Sequence, residues 1–124
     1  MKCKELMVGD LVSHNEVPIQ IIFVGNGYAN YEDEEGGPCQ LDDKYYPPEP
    51  IPLTPEILEK NGWKETQYWY EYRDYKNTIQ CCLPDMRGRI NGIEIEHFKC
   101  EYVHQYQHLL RLCGLDELAD NFKV

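Results

Sequence analysis

The sequence predicts an α+β fold, in which an N-terminal antiparallel β-unit, with a small SH3-like barrel as one way of closing it, joins a half built as helix, antiparallel sheet and helix. Three observations predict it. Residues 6–37 carry short β-branched and aromatic runs cut by turn residues, five prolines at 47, 48, 50, 52 and 55 then interrupt the chain, and an aromatic strand pattern follows between two helical signals. At 124 residues the chain is about one domain long, so a single domain over 1–124 is expected, divided into a β-rich part at 1–46, a proline-rich connector at 47–53 and an α+β part at 54–124.

In "LMVGDLVSHNEVPIQIIFVGNGYANYEDEEGG" the strands are punctuated by Gly9-Asp10, Asn15 and Gly25-Asn26-Gly27. Gly9-Asp10 is expected to turn the chain into a strand, with Asp10 supplying a side-chain acceptor. Asn26-Gly27, where both residues tolerate positive φ, predicts a hairpin between "IIFV" and "YANY". The acidic run Glu32, Asp33, Glu34, Glu35, followed by Gly36-Gly37-Pro38, is expected to form an exposed loop. The prolines of "YYPPEPIPLTPE" favour an extended, stiff connector outside any sheet.

A helix is predicted at "LTPEILEKNGW", capped by Thr54, with Pro55 in its first turn and Asn61-Gly62 as its stop. In "QYWYEYRDY" the alternation places Tyr68, Tyr70 and Tyr72 on one strand face and Trp69, Glu71 and Arg73 on the other. "NTIQCCL" and "GRINGIEIEHF" are two further strands linked through "PDMRG", with Asn91-Gly92 a hairpin or bulge. In the last stretch, "EYVHQYQHLLRLCG", Tyr102, Val103, Tyr106, Leu109, Leu110 and Cys113 share one helical stripe, while His104, His108 and Arg111 fall opposite, on the side predicted to face water. Gly114 should end this helix and Asp116 should cap a short terminal one.

With 22 acidic against 12 basic residues, the net charge of −10 would repel phosphate backbones and anionic membranes, leaving a basic protein as the partner the charge favours. No apolar leader begins the chain and no run of about 18 apolar residues offers a span, so a cytoplasmic location is expected. The six cysteines, at 3, 39, 81, 82, 100 and 113, form no C-x-x-C pair and are expected to remain thiols there, with vicinal Cys81 and Cys82 on opposite faces of a strand.

Two histidines four residues apart chelate metal on a helix face, but a tight site needs three or four ligands, and Gln105 stands where a zinc protease has glutamate. His104 and His108, with His97 or Cys100 as a third ligand, are therefore the disfavoured metal candidates. No other motif implies a cofactor or selects a nucleophile and base, so none is assigned. Ten tyrosines are many for this length. Tyr45 and Tyr46, in a loop beside the acidic Asp42 and Asp43, are better interface candidates than strand tyrosines, which have a sheet face to cover.

The motifs "IPLTPEILEKNGW" and "YVHQYQHLLRLCG", with a fainter echo in "ELMVGDLV", resemble those of a group of small uncharacterised proteins of gut anaerobes, often carried on phage-like mobile elements. The similarity covers mainly residues 50–115. It implies an origin and no activity or site residues. The expectation is a non-enzymatic protein-binding or accessory protein of a mobile element, turning Tyr45, Tyr46, Glu32, Asp33, Glu34, Glu35, Asp42 and Asp43 toward a protein partner. The alternatives are a metal-dependent enzyme using His104 and His108, or an acidic decoy for a basic nucleic-acid-binding protein.

Overall fold

A computed structural model describes every residue except Pro84. The chain forms two compact units, Met1–Ile51 and Pro52–Val124, whose boundary falls inside the proline-rich stretch. The fold is α+β: two antiparallel sheets, of four and five strands, with a few short helices. Among the described residues, no helix is long and apolar enough to cross a membrane.

The N-terminal unit is a meander of β1 (Leu11–His14), β2 (Val17–Val24), β3 (Tyr28–Glu32) and β4 (Pro38–Asp42), preceded by a 3-10 turn at Cys3–Glu5. Gly9, at φ 93°, and the Asp10 carboxylate, which accepts the Met7 N–H at 2.8 Å, build the turn into β1. The β1–β2 hairpin turns on Asn15 and Glu16, both at positive φ, and the β2–β3 loop on Gly27. Between Ile21 and Phe23 the register slips against β3, so the bulged Ile22 and its neighbour Phe23 are both exposed. The core gathers Cys3, Leu6, Val12, Ile21, Ala29 and Leu41. Past β4 the chain returns to the other edge of the sheet: Asp42 bridges Tyr46, and Ser13 of β1 exchanges two backbone hydrogen bonds with Glu49, each 2.9 Å. The ring is thus closed by single bridges and not by a fifth full strand.

The C-terminal unit opens with Pro52 bridged to Tyr102 and Leu53 N–H donating to the Glu101 carbonyl. The connector carries no strand, and isolated bridges at Glu49 and Pro52 tie it down near either end. Helix α1 (Pro55–Lys60) starts as its residues dictate: the Thr54 hydroxyl accepts the Ile57 N–H, Pro55 fills the first turn, and Asn61 with Gly62, at φ 85°, ends it. The sheet runs β5 (Lys64–Glu65), β6 (Tyr70–Arg73), β7 (Thr78–Cys82), β8 (Asp85–Ile90) and β9 (Ile93–Lys99) in sequence order.

Two sequence expectations are corrected here. Tyr68 and Trp69 precede β6, because the Thr66 hydroxyl and backbone bond Trp69 and close a turn over 66–69. The link predicted at 84–88 begins on Pro84, outside the described residues, and its remainder, Asp85–Gly88, is strand. Asn91 and Gly92, at φ 51° and 81°, form a two-residue hairpin. Strand β9 carries one extra residue against β8, with His97 at φ 59°, so its half-buried side chains Ile95 and Phe98 are three apart instead of two. Alternation along β7 and β8 buries Ile79, Cys81, Met86 and Ile90, and leaves Cys82 exposed.

Helix α2 (Val103–Leu112) ends at Gly114, φ 78°, where Leu115 N–H reaches back to the Leu110 carbonyl at 2.8 Å. Leu115, and not Asp116, sits at the cap of α3 (Asp116–Asp120). Within this unit α3 packs on α2, where the buried Gln107 donates to the Ala119 carbonyl at 2.9 Å.

Candidate functional site

The carboxylates of the N-terminal unit divide into two kinds. Asp33 organises the β3–β4 loop, its Oδ1 accepting the N–H groups of Glu35 (3.0 Å) and Gly37 (2.7 Å). Asp42 Oδ1 accepts the N–H groups of Tyr45 (2.6 Å) and Lys44 (2.9 Å), and these bonds, Tyr45's foremost, hold its carboxyl below the usual range. Asp43 takes the Cys3 N–H at 2.7 Å and is likewise lowered. These three acids are spent on turns. Glu32, Glu34 and Glu35 are exposed and, among the described residues, make no side-chain hydrogen bond or ion pair.

Those three line a groove of about 640 Å³ with His14, Val17 and Tyr31. The β1–β2 hairpin supplies one wall and the β3–β4 loop the other, because β1, β2 and β3 are consecutive neighbours in the sheet. Val17 is exposed as a large apolar side chain, so the groove combines an apolar surface with a carboxylate rim. Tyr45 and Tyr46 are exposed, at 70% and 56%, but neither lines this groove, and neither do Asp42 and Asp43. Tyr46 stands edge-on to the groove residue His14, ring centres 6.0 Å apart, and the Lys44 ammonium lies 5.1 Å over the Tyr45 ring.

The histidines differ from expectation. His104 is buried, at 6% exposure, and His108 is half-buried, where both were placed on a water-facing side. The helix α2 is covered over a wider arc than its apolar stripe: Gln107, which is not part of that stripe, is fully buried and donates to the Ala119 carbonyl of α3. His104 stacks on Tyr102, 6.0 Å apart and 12° between planes, and meets His108 edge-on at 5.6 Å. Cys100 precedes the helix and His97 lies in the β9 bulge, its Nδ1 3.4 Å from an Asp85 oxygen. Among the described residues, no three His, Cys, Asp or Glu side chains converge as a metal site would require.

The C-terminal unit holds a second concavity, of about 290 Å³, walled by Trp63, Tyr72, Leu110 and Phe122 and lined on its polar side by Lys60 and Lys123. Tyr106 also lines it. Its ring lies edge-on to Trp63, centres 5.6 Å apart, and 5.5 Å from Phe122. Asn61 ties the walls together: its Nδ2 donates to the carbonyls of Ile57 (2.8 Å) and Lys123 (2.7 Å), and its Oδ1 accepts the Lys123 N–H at 2.8 Å. Sequence reasoning missed this concavity, whose walls come from α1, β6, β7, α2, α3 and the last residues, each with an ordinary core pattern.

The buried thiols offer no nucleophile at neutral pH. Burial pushes Cys81 and Cys100 each up to about 12, so both stay protonated. Compared with protein-family models, curated proteins and solved structures, the chain matches none.

Proposed function

We propose that the chain is a non-enzymatic protein-binding protein whose N-terminal unit takes an extended, basic segment of a partner protein. In the setting that the resemblance implies, it is an accessory protein of a mobile element. The observation that carries this reading is the groove with Glu32, Glu34 and Glu35 free at its rim over Val17 and Tyr31. An arginine or lysine side chain matches both layers, laying its aliphatic stem on the apolar surface and its charged head among the carboxylates. Asp33 contributes differently, since its hydrogen bonds hold the rim in shape.

The test replaces the three free acids and spares the organiser. Tagged wild type and Glu32→Gln/Glu34→Gln/Glu35→Gln are used to capture partners from native lysate at low and high salt, and the retained proteins are compared. The reading expects a basic partner held by wild type, released by salt and lost by the triple variant. A captured protein that itself binds nucleic acid would make this groove a decoy. The same proteins retained by both baits, with the same salt dependence, would overturn the reading.

A further inference from the structure

We propose that the concavity of the C-terminal unit binds a small aromatic carboxylate. Size, wall chemistry and charge each narrow the class. A volume of about 290 Å³ lies at the low end of ligand pockets and suits a single-ring compound. Trp63 and Phe122 are buried and Tyr72 is half-buried, and Trp63 and Tyr72 lie 5.9 Å apart at 43°, so a ring seated against this wall would add to a cluster already built on offset and edge contacts.

The charge is the less ordinary feature. In a chain with 22 acidic and 12 basic residues, the concavity is lined by two lysines, two asparagines and no acid. The lysines come from places 63 residues apart in the chain (123 − 60), and they meet here for a structural reason. Asn61, the residue after Lys60, grips both the N–H and the carbonyl of Lys123. The C-cap of α1 thus brings the second cation to the opening that the first already lines. Two lysines lining one apolar concavity favour a compact anion with a hydrophobic body, which is the description of an aromatic carboxylate.

The full chain would be titrated with 3-phenylpropanoate, its neutral amide and 2-phenylethylamine at low salt, following the Trp63 indole and the Leu110 and Leu118 methyl groups by NMR. Expected are shifts centred on these three residues and an affinity order of anion, amide, amine, the anion tighter than the amine by about fivefold or more, as two partly exposed ion pairs allow. The Lys60→Gln/Lys123→Gln variant, altered only at exposed positions, should keep the amide affinity and bring the anion to within about twofold of it. No binding of any probe, shifts centred elsewhere, or an anion preference undiminished in the double variant would each overturn the proposal.

Discussion

Two tyrosines of one aromatic cluster should respond to loss of the hydroxyl with opposite signs. Tyr106 is buried, and its hydroxyl has no hydrogen-bond partner among the described residues. Tyr72, which shares the Trp63 cluster, donates its hydroxyl to Asp74 Oδ2 at 2.7 Å. An unsatisfied buried hydroxyl costs ~1–3 kcal/mol, and deleting one oxygen leaves a void worth only a few tenths of a kcal/mol, so Tyr106→Phe should stabilise by ~1–2 kcal/mol. Tyr72→Phe removes a charge-assisted bond whose acceptor is half-buried and partly screened by solvent, and should cost ~1 kcal/mol.

Both tryptophans, Trp63 and Trp69, lie in the C-terminal unit, so their fluorescence during urea unfolding reports that unit alone. The two midpoints should move apart at unchanged m, by ~2–3 kcal/mol in all. A Tyr106→Phe variant less stable than wild type would refute the reasoning, because it would mean that the hydroxyl is satisfied, most simply by a captured water.

Three further outcomes can be measured on the same chain. A Cβ at Gly88 would sit 1.9 Å from the Gln80 carbonyl oxygen and 2.8 Å from the Cys81 Cα, at φ +154°, so Gly88→Ala should cost ~3 kcal/mol or more in urea unfolding, and a loss under ~1 kcal/mol would contradict it. The Asp74 carboxyl is held near pKa 2, below its usual 3.8, chiefly by the Tyr72 hydroxyl and then by backbone N–H groups. A lowered folded-state value means that its stabilisation is present above pH 3.8 and is lost as the pH falls through 2; Asp74→Asn should lack this loss, and equal acid sensitivity of the two proteins in that window would count against the assignment. Under native conditions iodoacetamide should label exposed Cys82 and spare Cys3, Cys81 and Cys100 until urea is added, and early labelling of Cys81, checked by mass spectrometry, would contradict the burial.

Much of the fold was legible where chemistry acts over three or four residues. Thr54-Pro55, Gly27, Asn91-Gly92 and Gly114 each stand at the turn or helix end that their own backbone preferences specify, while Asn26 beside Gly27 does not take the positive φ it tolerates. What failed depended on partners distant in sequence. Glu16 adopts a positive φ that its residue type does not advertise, held there by the pairing of β1 with β2. Helical projection placed His104 toward water because it assumes one covered face, whereas α3 folds back and buries the flank that holds Gln107. Likewise the acidic run was visible as charge, but only hydrogen bonding separates Asp33, Asp42 and Asp43, which brace turns, from the three glutamates that are free.

Strand β9 has a consequence between molecules. It is a terminal strand of the five-stranded sheet, paired within it only to β8, and it exposes the apolar Ile93. Were it flat, a seven-residue edge of this kind would be a template on which a second copy of the chain could add a strand. The extra residue at His97 breaks the spacing of its free N–H and C=O groups, and Glu94, Glu96 and Lys99 put charge along it. An incoming strand would lose register at the bulge and meet like charges if it were another β9. The local irregularity that defeats simple alternation thus serves as a guard against intermolecular sheet growth, and deleting one residue there would straighten the edge and invite aggregation.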